Sequence, residues 1–241
     1  MIVFVKSTNE TFWFPIFRLN DLKSSDFPLF GTLEIIFLII SGIFAFRTSW
    51  IILKIRVFHE NMSIMLTCLW ILWIEAFFAK IIILPFQFNL ISLSGKSEIV
   101  SWWTSNYEKM LKIEEFSEIR WLFVASFILW HYIYSMFLTV FAMAMERIFA
   151  TIYIEDYENT SRKHIPICLI LLTHFFTIPL AFLITYNKLP FSISYGLIIL
   201  FSISVLLINE NYRALLMARR IVIGGTIYAS IFGILFFFSE F

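Results

Sequence analysis

The sequence predicts an all-α fold, a polytopic bundle of transmembrane helices, and three observations carry that prediction. Hydrophobic residues make up 60% of the chain and charged residues only 15%, against about 45–50% and about 25% in a typical soluble domain. Mean hydropathy is +0.86, and the apolar residues fall in long continuous runs. The aromatic load of 30 Phe, 8 Trp and 9 Tyr suits lipid-facing surfaces and the belts at membrane–water interfaces. A soluble helical bundle needs a polar stripe along each helix, and a transmembrane β-barrel needs short segments of alternating polarity. Neither pattern is present.

A spanning helix needs about 20 apolar residues at about 1.5 Å rise each, and six stretches meet that length. They follow a tail over 1–28, expected to be extracellular, whose short apolar start breaks at Lys6 and does not make a signal peptide. The first span covers 29–53, with Arg47 and Lys54 marking its exit. The second, 62–88, carries Glu75 and Lys80 inside it and Pro85 near its end. The third, 119–149, contains the longest apolar run of the chain. The fourth, 165–186, has Pro166 at its start and Pro179 in its second half, where a missing N–H and a ring clash should kink it. Only NKLP separates it from the fifth, 191–208, so these two are antiparallel neighbours. The sixth covers 221–238. Together they form one helical bundle over 29–238.

Basic residues orient the bundle. Arg47, Lys54, Arg56, Arg147, Arg162, Lys163, Arg213, Arg219 and Arg220 crowd the short first, third and fifth connections. Lys6, Arg18, Lys23, Lys96, Lys109, Lys112, Arg120 and Lys188 are spread more thinly on the other side. The positive-inside rule then puts the first set in the cytoplasm and the N-terminus outside. Asn9-Glu10-Thr11 is a glycosylation sequon in that external tail. Net charge is +1, which gives no field for nucleic acid. Cys68 and Cys168 lack a metal or disulfide framework and read as small buried hydrophobes.

Some polar residues do not belong in lipid. A carboxylate at the bilayer centre costs several kcal/mol, so Glu75 should face the bundle interior or be protonated, and it serves either as a polar anchor or in a binding or switching site. Lys80 lies nearer the helix end, where it can snorkel to the headgroups. On the third span His131, Ser135, Thr139 and Glu146 follow steps of four, four and seven, which keep them in one stripe. Tyr134 is beside it, and His174 on the fourth span is flanked by Thr173 and Thr177. Interhelical hydrogen bonding and ligand contact both account for Ser135, while His131 is the better ligand candidate. Glu75 and His131 can meet in space, but nothing else reports chemistry. The four histidines share no metal spacing, and there is no HExxH, GxSxG, phosphate loop or dinucleotide fingerprint. No enzyme, cofactor or metal is predicted.

The stretch Glu146-Arg147-Ile148-Phe149-Ala150-Thr151-Ile152-Tyr153-Ile154-Glu155-Asp156-Tyr157-Glu158, after MFLTVFAMAM, resembles the end of the third helix and the following connection in nematode serpentine receptors of class epsilon. The resemblance covers roughly 29–213. It implies a seven-helix chemoreceptor of sensory neurons, in the plasma or ciliary membrane, coupling to a heterotrimeric G protein; the aromatic and aliphatic residues of the outer half of the bundle suit a small apolar organic ligand and equally suit packing against one another. It places Glu146 and Arg147 at the cytoplasmic mouth as the coupling switch. The chain departs from the family pattern: the region between helices five and six is only NENYRALLMARR, and the sixth predicted span is the last. A truncated, non-signalling receptor is therefore one alternative. A transporter or channel is another, although no internal repeat or ring of charge supports it.

Overall fold

The computed structural model describes residues 2–15, 27–55, 59–87, 90, 91, 93, 108, 110–152 and 162–210. Strands β1 (Ile2–Val5) and β2 (Glu10–Trp13) come first, then helices α1 (Phe27–Ile55), α2 (Glu60–Ile71) and α3 (Trp73–Gln87). Strand β3 (Leu111–Ile113) precedes α4 (Phe116–Ile152), α5 (His164–Thr185) and α6 (Phe191–Glu210).

Four helical stretches are long and apolar enough to cross a membrane: Gly31–Lys54, Glu60–Gln87, Phe116–Ala150 and His164–Thr185. These match the first four expected spans. The fifth expected span is α6, whose qualifying apolar part, Ser192–Ser204, is shorter. The sixth, 221–238, lies outside the described residues, as do Arg213, Arg219, Arg220 and Asn159.

Large apolar side chains face outward, as lipid requires. Phe44, Phe46 and Phe175 are 65%, 70% and 70% exposed. Hydroxyls that would otherwise meet hydrocarbon donate to the carbonyl one turn back, as in Ser49 to Ala45 at 2.9 Å and Thr185 to Ala181 at 2.8 Å. The Trp73 indole packs against α1 at Gly42, where a Cβ would lie 3.4 Å from its Nε1, an ordinary contact distance. The second span is interrupted at Leu72. The Glu75 N–H bonds the Leu72 carbonyl at 3.0 Å, a tightened turn just before the carboxylate. Helix α5 runs through Pro179.

Helix α4 is the axis, packing against α2, α3, α5 and α6. Half of its apolar window is buried, against 22% for α1 and α5. The charge pattern of α3 needs one correction. Lys80 does not snorkel: it is buried and paired with Glu34 of α1, because an ammonium held in an apolar bundle requires a counter-ion. Cys168 is exposed on α5 rather than buried, and Cys68 is half-buried; both are free thiols.

The sheet was not expected from the sequence. Its strand order is β2-β1-β3, with β1 and β2 antiparallel and β1 and β3 parallel. Val3 and Val5 alternate inward and meet Phe12, Phe14, Leu111 and Ile113, all buried. This apolar face rests on Ala76, Ala79, Ile83 and Phe86 of α3 and on Ile119, Leu122, Ala125 and Leu129 of α4. The tail is thus bound to the bundle and closes one end of it. At the connection between α5 and α6, Asn187 takes a left-handed φ of 51° and its amide donates to the Thr11 hydroxyl at 3.1 Å. That bond ties β2 to the same end.

Candidate functional site

The polar residues within the spans converge at one depth below the sheet. Glu75 of α3 places Oε2 2.7 Å from His131 Nδ1 on α4. His131 Nε2 lies 3.2 Å from His174 Nδ1 on α5 and 3.2 Å from the Ser135 hydroxyl one turn along α4. Ser135 donates to Thr177 of α5 at 3.0 Å. The two imidazoles stack at 5.2 Å between centroids and 22° between planes.

One placement of protons satisfies these contacts: His131 Nδ1–H donates to the carboxylate, Nε2 accepts from His174 Nδ1–H, and Ser135 donates to Thr177. Three helices are joined by this one chain of hydrogen bonds. Among the described residues Glu75 makes no other side-chain hydrogen bond or ion pair, and about a third of its side chain, 33%, is exposed. Together with Ile74, Phe78, Phe127, Ile128 and His131 it lines a cavity of about 320 Å³ between α3 and α4. A second cavity, of about 420 Å³, lies between α1 and the α2–α3 span and is walled mainly by apolar side chains.

Of the five ligand-contact candidates, Glu75, His131, Ser135 and His174 come together, and Tyr134 does not join them. Tyr134 is fully buried on another face of α4, where its hydroxyl meets Ser194 of α6. Its ring lies 6.3 Å from Trp130, whose ring meets that of Trp13 at 4.8 Å with the planes tilted by 53°, and which donates Nε1–H to the Trp13 carbonyl at 3.3 Å. Sequence reasoning missed Trp13, Trp130, Phe78 and Phe127. For Trp130 a signal existed, since it precedes Tyr134 by one helical turn.

Further along α4, His131, Ser135, Thr139 and Glu146 are all buried, so the stripe faces inward along its length. Glu146 is fully buried and lies 3.2 Å from Nε of Arg147, which is 29% exposed. Nearby helix packing is rich in methionine: Met62 and Met65 of α2 meet Met143 of α4. Asn9 is exposed in the turn between β1 and β2, at a left-handed φ of 56°. Among the described residues no group of three His, Cys, Asp or Glu is arranged to hold a metal ion.

A multi-pass bundle with apolar outer walls, a buried polar chain across three helices and an acid–arginine pair at the far end of the central one defines an integral membrane protein of receptor-like architecture. The Sre G protein-coupled chemoreceptor family matches residues 1–209, and the chain belongs to that family. The match starts at residue 1, so the sheet-forming tail is part of the family domain rather than an appendage. The chain is 33% identical to serpentine receptor class epsilon-37 of Caenorhabditis elegans, over 98% of this chain and 75% of that protein. It is 32% identical to class epsilon-38 of the same organism, over 90% of this chain and 69% of that protein. No solved structure matches the chain significantly.

Proposed function

We propose that this protein is a chemoreceptor of the plasma or ciliary membrane of sensory neurons. It binds a small organic ligand at Glu75, His131, Ser135 and His174, and engages a heterotrimeric G protein through the Glu146–Arg147 end of α4. The observation that carries this reading is that both elements lie on one uninterrupted helix. His131 and Glu146 are about 22 Å apart at about 1.5 Å per residue, and a small shift of a rigid helix moves both ends together. The ligand site joins α3, α4 and α5, so a ligand that replaces the His131–Glu75 bond changes how those helices are held. Tyr134 acts by holding α4 against α6 rather than by touching ligand. The N-terminus faces outward, consistent with an exposed turn at Asn9 and with the distribution of basic residues.

The test is ligand-stimulated nucleotide exchange on a co-reconstituted heterotrimeric G protein. The chain is completed with the C-terminal remainder of a class epsilon relative and challenged with a panel of small odorants. Glu75→Gln and His131→Ala are expected to raise the half-maximal concentration by roughly tenfold or more, the equivalent of about 1.4 kcal/mol. A response unchanged in both variants removes the cluster from the ligand site, and glycosylation in microsomes at Asn159, in the sequon Asn159-Thr160-Ser161 of the expected cytoplasmic side, instead of at Asn9 reverses the orientation.

A further inference from the structure

We infer that the cleft between α3 and α4 is a side-opening site for a lipophilic organic ammonium, with the Glu75 carboxylate as its counter-ion. This deepens the receptor reading and rests on it for the role of the site, though not for the binding itself.

The sheet end of the α3–α4 seam is filled. Val3, Val5, Phe12 and Phe14 pack into the same buried cluster as Ala76, Ala79, Leu122 and Leu129. On the other flank of α4, Trp13 packs with Trp130 and Tyr134. A ligand approaching along the bundle axis from that end therefore meets close-packed side chains. The cavity beside Glu75 is framed instead by Ile74 and Phe78, one turn apart on α3 and 47% and 56% exposed on the lateral surface. In a spanning helix that surface is turned to the acyl chains. The way in is sideways, and a molecule that takes it must partition into the bilayer.

Charge selects what binds. Among the described residues, Glu75 is held by a single side-chain hydrogen bond, to an imidazole. The nearby cation on its own helix, Lys80, is buried against Glu34 of α1. A carboxylate in surroundings of low polarity is stabilised most by a full positive charge, and charge-assisted hydrogen bonds are roughly twice as strong as neutral ones. The remaining walls are Ile74, Phe78, Phe127 and Ile128. They offer apolar contact for an alkyl or aryl body, and two aromatic rings compatible with an adjacent cation. The cleft is open along its lateral side, with a volume of about 320 Å³. An anion is repelled, and a neutral alcohol forfeits the ion pair.

The experiment uses the full chain in phosphatidylcholine vesicles, photolabelled with a radioactive diazirine analogue of octylamine. Octylamine, 1-octanol and octanoate serve as competitors, at concentrations corrected for partition into the bilayer. Labelling is expected on α3 and α4 around Ile74, Phe78 and Phe127. Octylamine should suppress it at roughly tenfold lower concentration than 1-octanol, and octanoate should not suppress it. Glu75→Gln should abolish the preference for the amine, and Glu75→Asp should retain it in part. Equal competition by amine and alcohol on the wild-type chain overturns the proposal, as does unchanged selectivity in Glu75→Gln. Sealing the sheet with a disulfide between Lys6→Cys and Glu114→Cys should leave the labelling rate unaltered; a roughly tenfold slowing would assign entry to the sheet end and overturn the lateral opening. Nucleotide exchange in vesicles carrying the completed receptor separates the two claims. Amine-selective labelling without exchange defeats the receptor reading alone, and exchange without amine selectivity defeats the ammonium site alone.

Discussion

The two ends of α4 are built from different materials. At the sheet end, Phe12, Trp13, Phe14, Trp130 and Tyr134 are buried in contacts between rings, and backbone hydrogen bonds of a sheet hold the tail in place. At the opposite end, Met62, Met65, Leu66, Ala142 and Met143 fill the space between α2 and α4, beside a buried glutamate and its arginine neighbour. Aromatic rings have few rotatable bonds and preferred packing geometries. Methionine is unbranched and adapts to irregular gaps. One end of the helix is therefore suited to keeping its position and the other to repacking, with the Glu75–His131–His174 chain between them. On the proposed function, that is the order a receptor requires: a fixed frame, a ligand site, and an adaptable coupling end.

The largest expected effect tests that contrast directly. Trp13→Ala removes a buried ring packed against Trp130 and should lower stability by about 3–5 kcal/mol, while Met65→Leu, an apolar exchange of similar volume at the other end, should cost less than about 1.5 kcal/mol. Thermal unfolding in one detergent compares the two, and equal losses would end the distinction between the ends. A somewhat smaller effect is expected beside the ligand site. Lys80→Met leaves Glu34 without its ion-pair partner and should cost about 3 kcal/mol. Adding Glu34→Gln to Lys80→Met should recover most of that loss, since no buried charge remains. If the double variant is as unstable as the single one, the ion pair is not what holds α1 to α3.

The inward stripe on α4 was legible because one helix has one period: steps of four, four and seven place His131, Ser135, Thr139 and Glu146 together, and all four are buried. Four spans were legible for an equally local reason, the unbroken apolar runs. What escaped was non-local. The sheet joins Val3 to Leu111 and Val5 to Ile113, pairings more than a hundred residues apart that no local pattern encodes, although the short β-branched and aromatic run Ile-Val-Phe-Val is compatible with a strand. Lys80 was misplaced because its partner, Glu34, sits on another helix, and snorkelling is the right expectation only for a lysine without one. Tyr134 was grouped with His131 because it is close in sequence. Three steps of about 100° leave Tyr134 only about 60° from His131 around the helix, so the two are neighbours on its surface, yet that offset is enough for Tyr134 to meet Ser194 of α6 while His131 meets Glu75 of α3.

The measurement that bears most directly on the account is nucleotide exchange by the Arg147→Lys variant of the completed receptor, at matched surface level and with ligand binding measured in the same membranes. Lysine keeps the charge and any anchoring to headgroups but loses the planar fork of five donors. If Arg147 takes part in a contact that changes when α4 shifts, ligand affinity should stay near the wild-type value while G-protein activation falls. Equal exchange by the two proteins at equal occupancy would contradict the account and leave Arg147 as a surface anchor at the end of an otherwise well-packed helix.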